Sequence, residues 1–334
     1  MRLTPARMAA AGLVLAAVGT PRAPAATRIV AGQQAQTPPP VFRVAADLIS
    51  VDVSVFAGNV PVSGLTTADF ALWDNGVRQE IRAIATESVP LDITLVVDMS
   101  RSQARIGVPE RLRAEVIQVA AVPRREDRLR LMIFATDVLE LAPLQHPNPS
   151  LSVPHFESNG WSSIHDAIAA ALIRPIEPPR RQLVVAFTDG YDTASVLNPA
   201  TVHAIAARTE AVLHLVIPPY RPLQYVDSNS ISQHNLYPPM PFVYPRMGEY
   251  DRRFQELLIA ASETTGGFAH AARGNDSLVR AFKQIFDEFR QSYFLQYQLS
   301  GVPRQGSHEI TVEVTRRGKY TVRARRGYFV EASR

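Results

Sequence analysis

Two acidic residues stand where apolar stretches of the sequence end, and hydroxyl side chains lie close to the first of them. Asp98 and Asp189 each follow directly on a run of apolar, mostly β-branched residues, and Ser100 and Ser102 come shortly after Asp98. Carboxylate and hydroxyl oxygens are hard ligands, which suit Mg²⁺ or Mn²⁺ with retained waters better than Zn²⁺. The pattern predicts a divalent-metal site formed by side chains at strand ends.

A third polar segment opens a helical pattern that starts near Ile164. Here Gly160-Trp161-Ser162-Ser163 places two hydroxyls before the helix. Ser162 or Ser163 is expected to supply the hydroxyl that caps this helix, and the alternative to a ligand role is that both do only that. Trp161 either contacts a partner or packs beneath the loop.

The middle of the chain alternates between strand and helix patterns. Apolar runs typical of buried strands alternate with stretches of helical periodicity. The strands are expected at 93–97, 129–134, 138–141, 183–187 and 212–217. The helices are expected near 109–122, 164–173, 199–209, 250–265 and 276–290. This alternation predicts an α/β domain with a doubly wound, mainly parallel sheet. Ligands of such sheets bind beyond the carboxyl ends of the strands, where Asp98 and Asp189 lie.

Period-two patterns at both ends of the chain predict strands outside this domain. They occupy residues 42–89 and 292–334, and Asp74-Asn75-Gly76 is a strong hairpin signal within the first of them. The simplest arrangement is one small β-sandwich, with the α/β domain of residues 90–291 inserted between its halves. The alternative is a separate sheet at each end.

The remaining segments carry targeting and linker signals. Residues 1–25 have the charge, apolar run and small-residue end of a secretory signal peptide, with an uncleaved anchor as the alternative. Residues 26–41 read as a linker. The Pro- and Tyr-rich stretch 218–248 is either a functional surface loop or a mobile insertion. A secreted or periplasmic protein without a transmembrane segment after cleavage is expected.

Composition excludes several classes of function. The 334 residues contain no cysteine, so an exported chain would depend on packing without disulfides. The net charge of +4 falls to about +1 once the signal peptide is removed, and no basic stripe suggests nucleic acid. No phosphate loop, dinucleotide fingerprint or nucleophile elbow is present. Ser100, His165 and Asp189 could be drawn as a hydrolase triad, but no oxyanion hole accompanies them.

Taken in order, the three polar segments resemble the loops of a von Willebrand factor A domain. In that family the loops form a metal-ion-dependent adhesion site. The matching strings are Asp98-Met99-Ser100-Arg101-Ser102, Gly160 to Ala167, which is similar to Gly-Gly-Thr-x-Leu-x-Asp-Ala, and Thr188-Asp189-Gly190. Flanking strings, such as Asp69-Phe70-Ala71-Leu72 and Arg325-Arg326-Gly327-Tyr328, look like the von Willebrand A-related proteins abundant in Acidobacteria.

The resemblance implies a role for each polar residue. Ser100 and Ser102 would bind the metal directly, and Ser162 directly or through water. Asp98 and Asp189 would act through water or by orienting the other ligands. A carboxylate of a protein partner would complete the coordination of Mg²⁺, or of Mn²⁺ or Ca²⁺.

Two positions depart from the family pattern. Serine replaces threonine at Ser162, which keeps the oxygen but loses the methyl that restrains its rotamer. Arg101 replaces a usual glycine; its charge either disfavours the metal or pairs with an incoming carboxylate.

The leading hypothesis is an exported, non-enzymatic, adhesion-type binding module. The alternatives are a structural or secretion-accessory envelope protein with a degenerate site and, third, an exported hydrolase.

Overall fold

The computed structural model describes residues 48–86, 88–105, 107–148, 151–153, 160–177, 179–217, 247–271 and 277–330, without the side chains of residues 105 and 247–254. The expected signal peptide (1–25), the linker (26–41) and the 218–248 stretch up to residue 246 lie outside these residues.

The described residues form fifteen strands and six α-helices. The strands are β1 (Leu48–Ala57), β2 (Val60–Pro61), β3 (Phe70–Asp74), β4 (Val77–Gln79), β5 (Ile81–Ala85), β6 (Leu91–Asp98), β7 (Arg128–Phe134), β8 (Val138–Gln145), β9 (Arg181–Phe187), β10 (Val212–Ile217), β11 (Ala269–Ala271), β12 (Tyr293–Gln298), β13 (Gly306–Val314), β14 (Thr321–Ala324) and β15 (Gly327–Val330). The helices are α1 (Arg101–Arg105), α2 (Val108–Ala120), α3 (Ile164–Leu172), α4 (Pro199–Ala206), α5 (Met247–Thr264) and α6 (Leu278–Arg290).

Six strands form a central sheet in the order β11-β10-β9-β6-β7-β8. Every neighbouring pair is parallel except β7 and β8, which are antiparallel. All residues of β6, β9 and β10 are buried. Continuous apolar runs are typical of strands covered on both faces, and the helices provide this cover.

Helices pack on both faces of the central sheet. On one face Leu95 and Val97 of β6 join a hydrophobic cluster with side chains of α2 and α6, such as Leu112 and Phe282. On the other face Val96 joins a cluster with side chains of α3, α4 and α5. Successive residues of β6 therefore point to opposite helical layers.

Two further sheets combine strands from both ends of the chain, and both are antiparallel. The first has the order β14-β1-β12-β5 with β2 paired to β1, and the second has the order β15-β13-β3-β4. One hydrophobic cluster takes Val51 and Leu295 from the first sheet and Leu72 and Ile310 from the second. The two sheets thus share a core, while the boundaries of domains at residues 89 and 291 stay a prediction.

The structure confirms a mixed α/β chain. Since the two outer sheets are antiparallel, a Rossmann-like organisation stays a prediction. Three local features differ from expectation: β8 is longer than the predicted 138–141, β11 was not predicted, and α1 begins inside the segment expected to be a loop. Among the described residues no helix has the length and apolarity needed to cross a membrane.

A buried arginine joins the central sheet to the first outer sheet. Arg181, the first residue of β9, is 2% exposed and forms an ion pair with Asp52 of β1. Its Nη2 donates to Ser292 Oγ at 2.5 Å, and its guanidinium carbon lies 4.2 Å from the Phe289 ring centre. Burial lowers the pKa of Arg181 and raises that of Asp52, which shows that desolvation outweighs their attraction in each case.

A buried carboxyl group lies between the outer sheets. Asp74 ends β3, and the turn after it uses positive φ values at Asn75 (46°) and Gly76 (76°), as the hairpin signal predicted. Its carboxylate, however, accepts hydrogen bonds from the hydroxyls of Tyr297 (2.6 Å) and Tyr328 (2.8 Å). Burial and these bonds raise the pKa of Tyr297. Asp74 is therefore a core acceptor as well as a turn residue.

Candidate functional site

We call residues 98–102 the first loop; this segment runs from the end of β6 into the start of α1, and its first residue has a buried carboxylate. Asp98 is fully buried at the end of β6, where Oδ1 accepts from the backbone N–H of Ser100 (2.9 Å) and Oδ2 from the hydroxyl of Thr188 (2.8 Å). Burial and the nearby negative charge of Asp189 raise the pKa of Asp98, although these hydrogen bonds oppose the rise. A cation near Asp98 would stabilise the charged form of its carboxyl group.

The two serines of the first loop connect it to the third loop, residues 188–197. The Oγ atoms of Ser100 and Ser102 lie 3.1 Å apart, and Ser102 Oγ donates to Asp189 Oδ2 at 2.6 Å. Gln103 Nε2 donates to the same oxygen at 2.8 Å, and Tyr191 N donates to Asp189 Oδ1 at 3.1 Å. The structure thus brings both predicted serines and Asp189 into one hydrogen-bonded chain.

The second loop, residues 160–163, lies against both other loops. Its Gly160 carbonyl accepts from Arg101 N at 3.0 Å. The Ser162 carbonyl accepts from Thr193 N (2.8 Å) and Ala194 N (2.9 Å), and Ser162 N donates to Thr193 Oγ1 at 2.7 Å. All five predicted ligand residues therefore lie on three loops that are joined by backbone hydrogen bonds.

The hydroxyl of Ser162 is buried and has no hydrogen-bond partner among the described residues. Ser162 is 4% exposed, and within the described part of the chain its Oγ atom has no hydrogen bond. Leaving a buried polar group unsatisfied costs about 1–3 kcal/mol. The adjacent Ser163 Oγ, by contrast, donates to the Thr136 carbonyl at 2.7 Å. Within the described residues this buried hydroxyl oxygen is thus available as a ligand for a cation.

The helix cap is supplied by the third loop, so the expectation that Ser162 or Ser163 caps α3 is wrong. Ser163 occupies the N-cap position without a side-chain cap bond. Instead, Ser195 Oγ accepts from His165 N (3.0 Å) and Asp166 N (3.3 Å), and it donates to Asp192 Oδ1 at 2.5 Å. Because the cap comes from a distant residue, neither serine of the second loop is needed for it.

His165 belongs to this capping cluster. Its Nδ1 lies 3.4 Å from Asp192 Oδ2, and the His165 side chain is buried. Burial raises the pKa of Asp192, but hydrogen bonds with His165 and Ser195 outweigh it, and the net shift is downward. The triad that could be drawn from the sequence needs His165 beside Ser100; the structure places His165 Nδ1 beside Asp192.

The two predicted partner-binding residues are exposed. Arg101 lies on the surface at the start of α1, and Trp161 is 66% exposed, so it does not pack beneath the loop. The backbone beneath Trp161 is closely fitted: a Cβ at Gly160 would lie 2.7 Å from Thr136 Oγ1, which also accepts from Trp161 N at 3.0 Å. Only glycine fits at this position.

No protein-family model matches the sequence, and no curated protein shows significant sequence similarity to it. Among solved structures, the chain is similar to an aerotolerance-related membrane protein from Bacteroides fragilis NCTC 9343, with 15% identity and a TM-score of 0.39 over 60% of this chain and 98% of that one. It is also similar to a von Willebrand factor type A from Catenulispora acidiphila (9% identity, TM-score 0.40, 85% and 73% covered). The ArnB paralog VWA2 from Sulfolobus acidocaldarius gives 8% identity and a TM-score of 0.41, with 83% and 75% covered.

The side chains present fit a hard divalent cation. No cluster of three or more His, Cys, Asp or Glu side chains suited to a metal occurs in the described ranges. The candidate site instead combines hydroxyl and carboxylate oxygens, and the buried, unpaired Ser162 Oγ adds a free acceptor. Oxygen ligands of this kind suit Mg²⁺.

Sequence reasoning assigned no role to three residues that organise the site, although it quoted Thr188 within the third polar segment. Thr188 holds Asp98, Gln103 holds Asp189, and Ser195 caps α3. Thr188 directly precedes Asp189 at a strand end, and that position was a usable signal. Gln103 and Ser195 carry no local signal, because Asp189 lies 86 residues from Gln103 and His165 lies 30 residues from Ser195 along the chain.

Proposed function

We propose that this protein is a non-enzymatic binding module that holds a divalent cation at its three loops and uses it to bind an acidic group of a protein partner. Mg²⁺ fits the oxygen donors best, with Mn²⁺ or Ca²⁺ as substitutes. When bound, the cation supplies positive charge that a partner's carboxylate can meet. The observation that carries the proposal is the buried Ser162 hydroxyl, which has no hydrogen bond among the described residues and belongs to the loop that is bonded to both other loops.

The residues of the site divide into two roles. Ser100, Ser102 and Ser162 offer neutral hydroxyl oxygens and would hold the cation. Asp98 and Asp189 would orient these hydroxyls and the waters of the cation, since both carboxylates already accept hydrogen bonds from the loops. Neutral ligands leave the cation with more of its charge, which favours an anionic partner.

The same proposal covers the organisation and location of the chain. We take the central sheet with its two helical layers as a doubly wound, von Willebrand A-like domain of residues 90–291, inserted in a β-sandwich. The signal pattern of residues 1–25 supports export to the periplasm or the medium. N-terminal sequencing of the exported protein, expected to begin at Ala26, tests the last point; an unprocessed Met1 would contradict it.

Calorimetric titration of the purified protein with Mg²⁺ and Mn²⁺ tests the cation. We expect saturable binding that the double variant Ser100→Ala/Asp189→Ala abolishes. Ser307→Ala is a matched control, because Ser307 is an exposed serine on β13 in an outer sheet. No binding by the parent protein, or unchanged binding by the double variant, would refute the site.

One observation favours a second function, a metal-independent envelope or secretion-accessory protein. Asp189 Oδ2 already accepts hydrogen bonds from Ser102 and Gln103, so this carboxylate is satisfied without a cation. Partner binding that survives a chelator in a pull-down, and survives Ser100→Ala/Asp189→Ala as well, would favour this alternative over the first.

A further inference from the structure

Two large apolar side chains lie exposed at the border of the candidate site. Trp161 of the second loop is 66% exposed, and Val196 of the third loop is 92% exposed. Single exposed apolar residues are common on protein surfaces. These two lie on loops at the start of α3, and hydrogen bonds hold both backbone segments in place.

The backbone at Val196 is fixed by a carboxylate of α3. Asp166, in the first turn of this helix, accepts at Oδ2 from Val196 N and at Oδ1 from Leu197 N, both at 2.9 Å. The backbone at Trp161 is held by a 3.0 Å hydrogen bond from its N–H to Thr136 Oγ1. A side chain on an ordered backbone loses little further entropy on binding, which favours its use as a contact.

The two side chains border the same feature, the start of α3. Trp161 directly precedes Ser162, whose carbonyl accepts from Thr193 N and Ala194 N of the third loop. Val196 follows in that loop and is held by Asp166. Both apolar residues therefore lie at the start of α3: Trp161 directly precedes Ser162, the proposed cation ligand, and Val196 is held by Asp166 in the first turn of the helix.

A positive charge completes this surface. Arg101 is exposed, and its N–H donates to the Gly160 carbonyl directly before Trp161. Among the residues that the structure describes, no carboxylate pairs with the Arg101 guanidinium. An unpaired surface cation beside a proposed metal ion is complementary to an acidic partner.

We propose that Arg101, Trp161 and Val196 form a docking surface for a peptide segment in which a large apolar side chain stands next to an acidic one. The inference rests on the proposed function, because the acidic side chain is the one that the cation would receive. The neighbouring apolar side chain packs on Trp161 and Val196, and Arg101 attracts the acidic segment. Most affinity at such surfaces comes from a few buried aromatic and arginine contacts.

Three short peptides with a fluorescein label test the proposal by fluorescence anisotropy with the full chain and Mg²⁺. Their sequences are Gly-Leu-Asp-Leu-Gly, Gly-Gly-Asp-Gly-Gly and Gly-Leu-Asn-Leu-Gly. Burying a leucine side chain supports roughly tenfold in affinity or more. We therefore expect the first peptide to bind at least about tenfold more tightly than each of the others.

Surface variants identify which residues recognise the apolar neighbour. We expect Trp161→Ala and Val196→Ser to weaken the Leu-Asp-Leu peptide toward the affinity of the Gly-Asp-Gly peptide, while calorimetric Mg²⁺ binding stays unchanged. Arg101→Gln should weaken both aspartate peptides by the same factor. Ile173→Ser is the matched control, since Ile173 at the other end of α3 is also 66% exposed; its binding should equal that of the parent.

The outcomes separate this inference from the proposed function. If Mg²⁺ binds and the Leu-Asp-Leu and Gly-Asp-Gly peptides bind equally, or neither binds, this inference is overturned and the cation site stands. The same holds if Ile173→Ser weakens binding as much as Trp161→Ala. If Mg²⁺ does not bind to the parent protein, the proposed function fails, and the docking surface built on it fails too.

Discussion

Two adjacent serines, equally buried but differently bonded, allow a sharp test of the candidate site. Ser162 is 4% exposed and Ser163 is 1% exposed. Ser163 donates a 2.7 Å hydrogen bond to Thr136, whereas Ser162 Oγ has no partner among the described residues. The perturbation is the pair of single variants Ser162→Ala and Ser163→Ala, each of which removes one hydroxyl oxygen from the same short segment.

The two changes should move the stability of the metal-free protein in opposite directions. Ser163→Ala removes a buried hydrogen bond and should lower the free energy of unfolding by about 1 kcal/mol. Ser162→Ala removes a hydroxyl whose unsatisfied burial costs about 1–3 kcal/mol, and should raise the free energy of unfolding by about 1 kcal/mol. The two variants should therefore differ by about 2 kcal/mol.

Denaturant unfolding with and without Mg²⁺ measures both effects. In chelator, the midpoints should shift as stated with an unchanged slope. With Mg²⁺ at about a hundred times its dissociation constant, the parent protein should gain about 2.7 kcal/mol. Ser163→Ala should keep this gain, and Ser162→Ala should lose most of it.

Two results would refute the reasoning. Equal destabilisation by both variants in chelator would mean that the Ser162 hydroxyl has a partner in the folded protein. Full stabilisation of Ser162→Ala by Mg²⁺ would mean that this oxygen does not hold the cation.

Three further predictions concern buried ionisable side chains. Arg181→Ala should lower the free energy of unfolding by about 3–5 kcal/mol, because it leaves the buried Asp52 without its ion-pair partner. The double variant Asp52→Leu/Arg181→Met should recover most of this loss. A double variant no more stable than Arg181→Ala would contradict the argument. Asp74→Ala should cost about 3 kcal/mol or more in the same assay, since it orphans two tyrosine hydroxyls, and a loss below about 1 kcal/mol would speak against the network. His270 lies in β11, and burial lowers its pKa from 6.5 to about 4. Between pH 6.5 and pH 4 the unfolded chain therefore binds more protons than the folded one, and stability falls as the pH decreases, by up to about 1.4 kcal/mol per unit. The raised pKa of Asp98 acts in the opposite direction, so the test is the difference between His270→Phe and the parent: the variant should lose less stability between pH 6.5 and pH 4, and parallel curves would exclude the effect.

The strand ends that carry the site could be predicted because buried parallel strands have a distinct composition. The run before Asp98 is apolar and β-branched, and it forms β6, which is buried along its whole length. The same holds for the run before Asp189 and strand β9. Once both strands are recognised, sheet geometry places their final carboxylates at one edge.

Features that depend on distant contacts could not be predicted. Asp74 carries a local hairpin signal that accounts for it fully, and nothing nearby indicates the tyrosines more than two hundred residues away. Likewise, a serine before a helix is normally read as its cap, yet Ser195 takes this role for α3. Strand β11 has only three residues, which is too short for a periodic pattern.

The pairing of β5 with β12 has a consequence for the order of folding. Ala85 and Phe294 are register partners, although the whole central sheet and its helices lie between them along the chain. All six strands of the central sheet come from one uninterrupted segment, whereas each outer sheet needs strands from both ends. During synthesis the outer sheets can therefore be completed only after β12 to β15 have been made. Because a folded central sheet brings Ala85 and Phe294 together, it removes the entropy cost of closing that long loop, and the outer sheets should assemble last.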